Sequence, residues 1–239
     1  MLFYYIRHAD PIYDPDSLTP LGKRQAEAVA KRLSVYGFDE IYASSSERAK
    51  QTAMPTCEIL KMGFTELDWC HETLAWDDLA PVDDDGKQMW CFMRGEFRRL
   101  FLTEKIKNLG DKWYDAEEFS QYPFKKGILR IQKEEENFFE HLGYHHDRKN
   151  RCFVATEPND KRIAMFAHHG FGLAFLSSIL DIPYPEFSTR FDMAHTGVTV
   201  IEFEDRYDTG VVIPKILTLS NDSHLFREGL PTQNNGVLI

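Results

Sequence analysis

The sequence predicts an α/β fold: a three-layer α/β/α sandwich around a mostly parallel sheet. Three observations carry that expectation. The first is "LFYYI" at residues 2–6, an unbroken apolar and aromatic run of the kind a strand buried on both faces requires. The second is the alternation of short apolar runs with segments whose apolar residues recur at i, i+3, i+4 and i+7, the pattern of strands alternating with helices. The third is size. At 239 residues, 43% hydrophobic and 28% charged, the chain can bury one large core, read as a single domain over 1–239.

The elements follow in order. After the first strand, "DPIYDPDSLTP" is turn-rich, with three prolines and three aspartates. Thr19 then caps a helix, Pro20 suits its first position, and Ala26, Val29, Ala30 and Leu33 form its apolar stripe. Gly37 ends that helix, "DEIYAS" is a short strand, and "SSERAKQTAM" opens a second helix behind a serine cap. Pro55 falls inside this pattern and predicts a kink or break near Gln51 to Met54.

From Trp76 to about Lys126 the character changes. "WDDLAPVDDDGKQMW" reads as an acidic loop, and "MWCFMRGEFRRLFL" as a helix with Met89, Phe92, Met93, Phe97, Leu100 and Phe101 on a broad apolar face. This region, about 76–126, is expected to be a helical insertion that caps the active-site edge of the sheet. A helix from about Ile128 to His141 leads back into the core. "RCFVAT" and "KRIAMFAHH" flank the turn signal "EPND" and suggest a hairpin. "GFGLAFLSSIL" is a helix, and "GVTVIEF" and "VVIPKILTL" make a further strand pair. There are no internal repeats.

Composition excludes several classes. No apolar run approaches the roughly 20 residues that span a bilayer, and "LFYYI" is too short for a signal-peptide core, so no membrane association and a cytoplasmic location are expected. Cys57, Cys70, Cys91 and Cys152 are scattered, with no C-x-x-C pair, which argues against a zinc ribbon or a disulfide framework. The formal charge of −10 speaks against nucleic acid. It does not exclude a small phosphorylated substrate, because a few local arginines can hold one phosphate.

Chemistry-bearing residues gather at strand ends and helix starts: Arg7 and His8, Arg48, Glu72, and His168-His169-Gly170. The first and last share one design, a buried strand, then histidine, then a small residue. That would bring imidazoles to one edge of one sheet, where ligands of open α/β sheets bind. Two histidines, two arginines and a carboxylic acid suit phosphoryl transfer through a histidine. Arginine supplies fixed, fork-shaped positive charge for the phosphoryl oxygens. Neutral imidazole is a competent nucleophile near pH 7, and a carboxylic acid of raised pKa can protonate the departing oxygen. No metal or other cofactor is required.

"RHAD", "LTPLGKRQAEAVAKRL", "ASSSERAKQTA" and "AHHGFG", in that order, resemble the histidine phosphatase superfamily, the phosphoglycerate-mutase-like proteins. The resemblance covers most of the chain outside the insertion and the last residues. It implies that His8 is the residue phosphorylated, that Arg7 and Arg48 bind the phosphate, and that His169, directly before Gly170, is the second pocket histidine. It implies that Glu72 is the acid, in the branch that takes its proton donor from mid-chain; Asp77 and Asp78 stand as alternatives. The sequence departs from the family pattern in having Ala9 and Asp10 after "RH", and in "HETLAWDD". The expected activity is a metal-independent phosphomonoester hydrolase working on a small phosphorylated metabolite through a phosphohistidine. A mutase-type phosphotransferase and a phosphometabolite-binding protein without turnover are the alternatives, and the lack of a mutase-like insertion favours hydrolysis.

The remaining polar residues read more plainly. His168 is expected to pack behind the site, and His195 and His224 to be satisfied structural histidines. His141, His145 and His146 with Asp147 are expected at a solvated helix end rather than at a metal. Lys87, Arg94, Arg98, Arg99, Lys125 and Lys126 could meet a second anionic group of the substrate or simply face solvent.

Overall fold

A computed structural model describes residues 1–83, 85–205, 209–234 and 237–238. Its centre is a six-stranded sheet of β1 (Leu2–Arg7), β2 (Glu40–Ser44), β3 (Thr65–Leu67), β4 (Arg162–Ala167), β5 (Val198–Glu202) and β6 (Lys215–Asn221). Across the sheet the order is β6-β5-β1-β4-β2-β3. β1, β4, β2 and β3 run parallel, whereas β5 is antiparallel to β1 and to β6. The apolar run at the N-terminus thus lies between two partners, and alternate side chains enter opposite cores.

Tyr4 and Ile6 face α1 (Pro20–Leu33) and α2 (Glu47–Leu60), where they join Val29, Leu33, Ala53 and Cys57. Phe3 and Tyr5 face α6 (Phe124–His141) and α7 (His169–Ile179), where Phe138, Phe139, Phe171 and Phe175 complete the larger core. These are the three expected layers. Between α2 and α6 lie α3 (Glu72–Leu79), α4 (Gly95–Phe101) and α5 (Glu104–Leu109), and after α7 come α8 (Tyr184–Arg190) and α9 (Ser223–Arg227). Phe97 against Phe124, Phe101 against Trp113, and Trp113 against Phe119 pack edge to face in this middle stretch and are continuous with the main core. Among the described residues, no helix is long and apolar enough to cross a membrane.

Several expectations give way. "RCFVAT" and "KRIAMFAHH" do not form a hairpin: Cys152–Ala155 pairs with Tyr144–Asp147 and Val211–Val212 in a separate sheet, while β4 enters the central one. The Gly143 carbonyl accepts the N–H groups of Thr156 and Glu157, which turns the chain away before β4 begins. α2 runs through Pro55 without a break; burial of Ala53, Thr56 and Cys57 outweighs the hydrogen bond the proline removes. The acidic segment begins as helix, since α3 extends to Leu79. The aromatic segment instead divides into a short turn, Cys91–Met93, and α4, because Arg94 between them is extended. "GYHHD" is not a solvated helix end: Tyr144–Asp147 is a strand, and the His146 side chain is fully buried.

Candidate active site

β1 and β4 are parallel neighbours with Arg7 opposite Ala167, so His8 and His168 leave the sheet side by side. The His8 amide donates to the Ala167 carbonyl at 2.8 Å, which ties the two exits together. His8 is buried, and its Nδ1 lies 2.7 Å from the carbonyl of Ala9. A carbonyl only accepts, so Nδ1 carries the proton and Nε2 keeps its lone pair. Burial, then the neighbouring His168, Arg7 and Arg48, hold the pKa of His8 well below the usual histidine value, so the ring is neutral near pH 7.

The loop after His8 is clamped by the residues of "LTPLGKRQ". Thr19 Oγ1 caps α1 through the Gly22 amide and donates to the Asp10 carboxylate at 2.6 Å. Gln25 Oε1 accepts the Asp10 amide at 2.9 Å, and Thr52 Oγ1 of α2 accepts the Ala9 amide at 3.0 Å. Gly22 is required by proximity, since a Cβ there would stand 2.2 Å from the Asp10 carbonyl oxygen.

Arg48 sits in the first turn of α2. One arm of its guanidinium pairs with Asp16 at 2.8 Å and the other lies 3.2 Å from Nδ1 of His168. Arg7 donates to the Met193 carbonyl at 2.5 Å and reaches Nε2 of His195 at 2.9 Å. Both arginines are thus aimed before a ligand arrives.

Both histidines of the "HH" pair belong to the site, in different ways. The His168 ring meets His8 edge to face at 5.2 Å, and its Nε2 lies 2.8 Å from Ser44 Oγ. Since Arg48 can only donate, Nδ1 of His168 accepts and Nε2–H donates to the serine. Tyr5 fixes this residue's backbone, donating to its carbonyl at 2.7 Å. His169 lines the cavity wall instead, with Nε2 2.5 Å from Asp192 and its ring 5.7 Å from that of Phe92. The sequence reading singled out His169 and set His168 behind the site; the imidazole against His8 and Arg48 is that of His168. With Arg7 opposite Ala167, the residue equivalent to His8 is His168, and only the pairing of β1 with β4 reveals that phase.

Glu72 opens α3 and points at the start of α7. Its Oε1 accepts the Gly170 amide at 2.8 Å, and its Oε2 lies 3.5 Å from the Phe171 amide and 3.8 Å from Nδ1 of His168. A carboxylate at a helix N-terminus is favourably placed. Burial nonetheless outweighs those amides and the arginines, and raises the Glu72 pKa to about 7. The two alternatives are elsewhere: Asp77 is exposed, and Asp78 turns to α6, 3.0 Å from Lys126 and 3.4 Å from Arg130.

His195 borders the site more closely than its sequence context suggested. Its ring lies 5.6 Å from that of His8, and burial followed by the Arg7 charge lowers its pKa to about 3. His224 lies behind it, 2.9 Å from Thr196 Oγ1, in the structural role expected of it. Asp16 and Asp192, which position Arg48 and His169, went unnoticed, for nothing in their spacing marks them. Together Arg7, His8, Arg48, Glu72 and His169, with Tyr13, Thr73, Trp76, Trp90 and Met93, line a cavity of about 560 Å³.

The family model of the histidine phosphatase superfamily (branch 1) matches residues 6–83, a span that holds Arg7, His8, Arg48 and Glu72. No curated protein matches the sequence. Among solved structures, a phosphoserine phosphatase mutant from Entamoeba histolytica, in complex with phosphoserine, is similar at 17% identity and a TM-score of 0.59, over 94% of this chain and 98% of that one. The α-ribazole phosphatase from Shigella flexneri is similar at 15% identity and 0.58, over 93% and 97%. A mycobacterial glucosyl-3-phosphoglycerate phosphatase is similar at 14% identity and 0.57, over 91% and 97%. At such identities the likeness is one of fold. The family match thus spans the residues that build much of this site and the shared fold spans nearly the whole chain, so over residues 6–83 the chain is similar to the histidine phosphatase superfamily.

Proposed function

We propose that the protein is a phosphomonoester hydrolase that works on a small phosphorylated metabolite through a phosphohistidine on His8, without a metal. The observation that carries this reading is the state of His8, whose Nδ1 is committed to the Ala9 carbonyl, leaving the Nε2 lone pair free in a cavity that Arg7 and Arg48 also line. Nε2 attacks phosphorus in line while Arg7 and Arg48 hold the phosphoryl oxygens, and His168, bonded to Arg48 and Ser44, keeps Arg48 in place. Glu72, protonated in a good share of molecules at neutral pH, gives its proton to the leaving oxygen. The resulting carboxylate then takes a proton from water as that water hydrolyses the phosphohistidine. The phosphatase neighbours support hydrolysis as the outcome. The four free cysteines, all buried, support a reducing, cytoplasmic setting.

The test is phosphate release from a panel of phosphate esters, with EDTA present, by wild type and three variants. His8→Ala should lose at least about a thousandfold in rate. His168→Ala should lose about a hundredfold, and His169→Ala much less, because only the former ring meets His8 and Arg48. Undiminished release by His8→Ala would sink the mechanism. Transfer to a second hydroxyl with no phosphate released would make the protein a mutase instead.

A further inference from the structure

We infer that this pocket selects phosphate monoesters whose leaving group is uncharged and ring-bearing, over esters that carry a second carboxylate or phosphate. The inference rests on the hydrolase reading above and concerns the part of the cavity beyond the phosphoryl group.

Among the described residues that line the cavity, the cations are Arg7 and Arg48, and both stand beside His8. The six basic residues from Lys87 to Lys126 that might have met a second anion do not line it. Arg94 pairs with Glu96 at 2.6 Å and donates to the Pro81 carbonyl at 2.9 Å. Arg98 donates to the Phe92 carbonyl, Lys125 pairs with Asp115, and Lys126 pairs with Asp78. His169 adds no charge, because burial lowers its pKa despite the hydrogen bond to Asp192. The Glu72 carboxyl, once ionised, and the net charge of −10 would both repel a second anion. A second carboxylate would therefore leave water for a wall with nothing to pair it.

What that wall does offer is rings. Trp76 and Trp90 meet edge to face at 4.9 Å, and Trp90 stacks on Phe92 at 5.8 Å. Trp90 is fixed by its seat on the first turn of α7, where a Cβ at Gly170 would come within 2.2 Å of the indole. Met93 and Tyr13 complete the mouth and are 47% and 70% exposed, so their apolar surface is open to a ligand. An aromatic leaving group would bury that surface against edges and faces already held in place.

Calorimetric titration tests this on the intact protein with two phosphonates that cannot be hydrolysed, benzylphosphonate and the carboxylate-bearing phosphonoacetate. Benzylphosphonate should bind roughly tenfold tighter, the worth of one well-seated ring. Trp76→Ala should reduce that gap to about twofold. Met93→Lys, at an exposed position, should raise phosphonoacetate affinity about tenfold by placing a cation in the wall. Phosphonoacetate binding as tightly as benzylphosphonate, or no binding of benzylphosphonate, overturns the inference. Hydrolysis of benzyl phosphate against 3-phosphoglycerate then separates the two readings. A benzylphosphonate preference with no phosphate released leaves the selectivity standing and removes the hydrolase, whereas faster release from 3-phosphoglycerate does the reverse.

Discussion

At His8 two influences compete. The nucleophile must be neutral near pH 7, yet the Ala9 carbonyl bonded to its Nδ1 favours the protonated ring. Burial and two guanidiniums settle the contest for the neutral ring, so His8 holds its protonation state through the working range. The group that titrates there is Glu72, at about 7. An acid acts only while it holds its proton, so kcat/KM for an alkyl phosphate should fall as pH rises through about 7, approaching tenfold per pH unit. Glu72→Gln should flatten that limb and cost about a hundredfold on alkyl esters. It should cost far less on 4-nitrophenyl phosphate, whose leaving group needs no proton. A pH–rate profile unchanged in Glu72→Gln would assign the limb to another group. Glu72 took the acid's role through the family resemblance, with Asp77 and Asp78 as alternatives, and its place at the first turn of α3 sets it apart from them; the choice between His168 and His169 was not legible. Two adjacent histidines differ only in strand phase, and phase is fixed by the pairing of β1 with β4, not by either strand alone.

The helices act on the site through their first turns. α1 presents Thr19, Gly22 and Gln25 to the backbone after His8, α2 presents Arg48 and Thr52, and α7 offers its amides to Glu72. The spacing of threonine, glycine and glutamine is thus a clamp, legible in sequence because a helix turn imposes it. A side chain at position 22 would strike the Asp10 carbonyl, and backbone gives way poorly. Gly22→Ala should therefore destabilise the protein by about 1–3 kcal/mol. It should also lower kcat/KM roughly tenfold or more, because the displaced loop carries the carbonyl that fixes the His8 tautomer. Thermal melts and initial rates check both parts; unchanged rates would mean that the loop tolerates the shift. The hairpin expected between Cys152 and Ala167 failed for a different reason. Local patterning says that a segment is a strand but does not name its partner, and β4 is buried along five of its six residues, which only the centre of the main sheet provides.

On the scale of the whole molecule, the layered order was legible because both faces of β1 demand cover, and the chain supplies helices in alternation with strands. What was not legible is how the small sheet is fastened to those layers. His146, on Tyr144–Asp147, stacks on Phe153 at 4.0 Å and is bonded at 3.1 Å both to Glu135 of α6 and to Asp181 just beyond α7. Arg148 lies 2.5 Å from Glu135 and 3.1 Å from Ser178 of α7. Such a network has no period in sequence, so the histidine read as solvated. Burial by itself would lower the pKa of His146, but the bonds to Asp181 and Glu135 prevail and the net shift is upward. A group whose pKa is raised by folding stabilises the fold fully below its unfolded pKa of about 6.5 and loses that contribution as pH rises through the folded value. This histidine's share of the stability is therefore complete in mild acid and should be lost on passing into alkaline solution. His146→Gln cannot take a proton and should remove that part of the pH dependence. In mild acid it should also cost about 3 kcal/mol for a broken buried pair, roughly 6–12 °C in Tm at this chain length. Melting curves of both proteins across that range decide the matter: if the gap in Tm between wild type and His146→Gln does not narrow as pH rises, the network does not hold a protonated histidine.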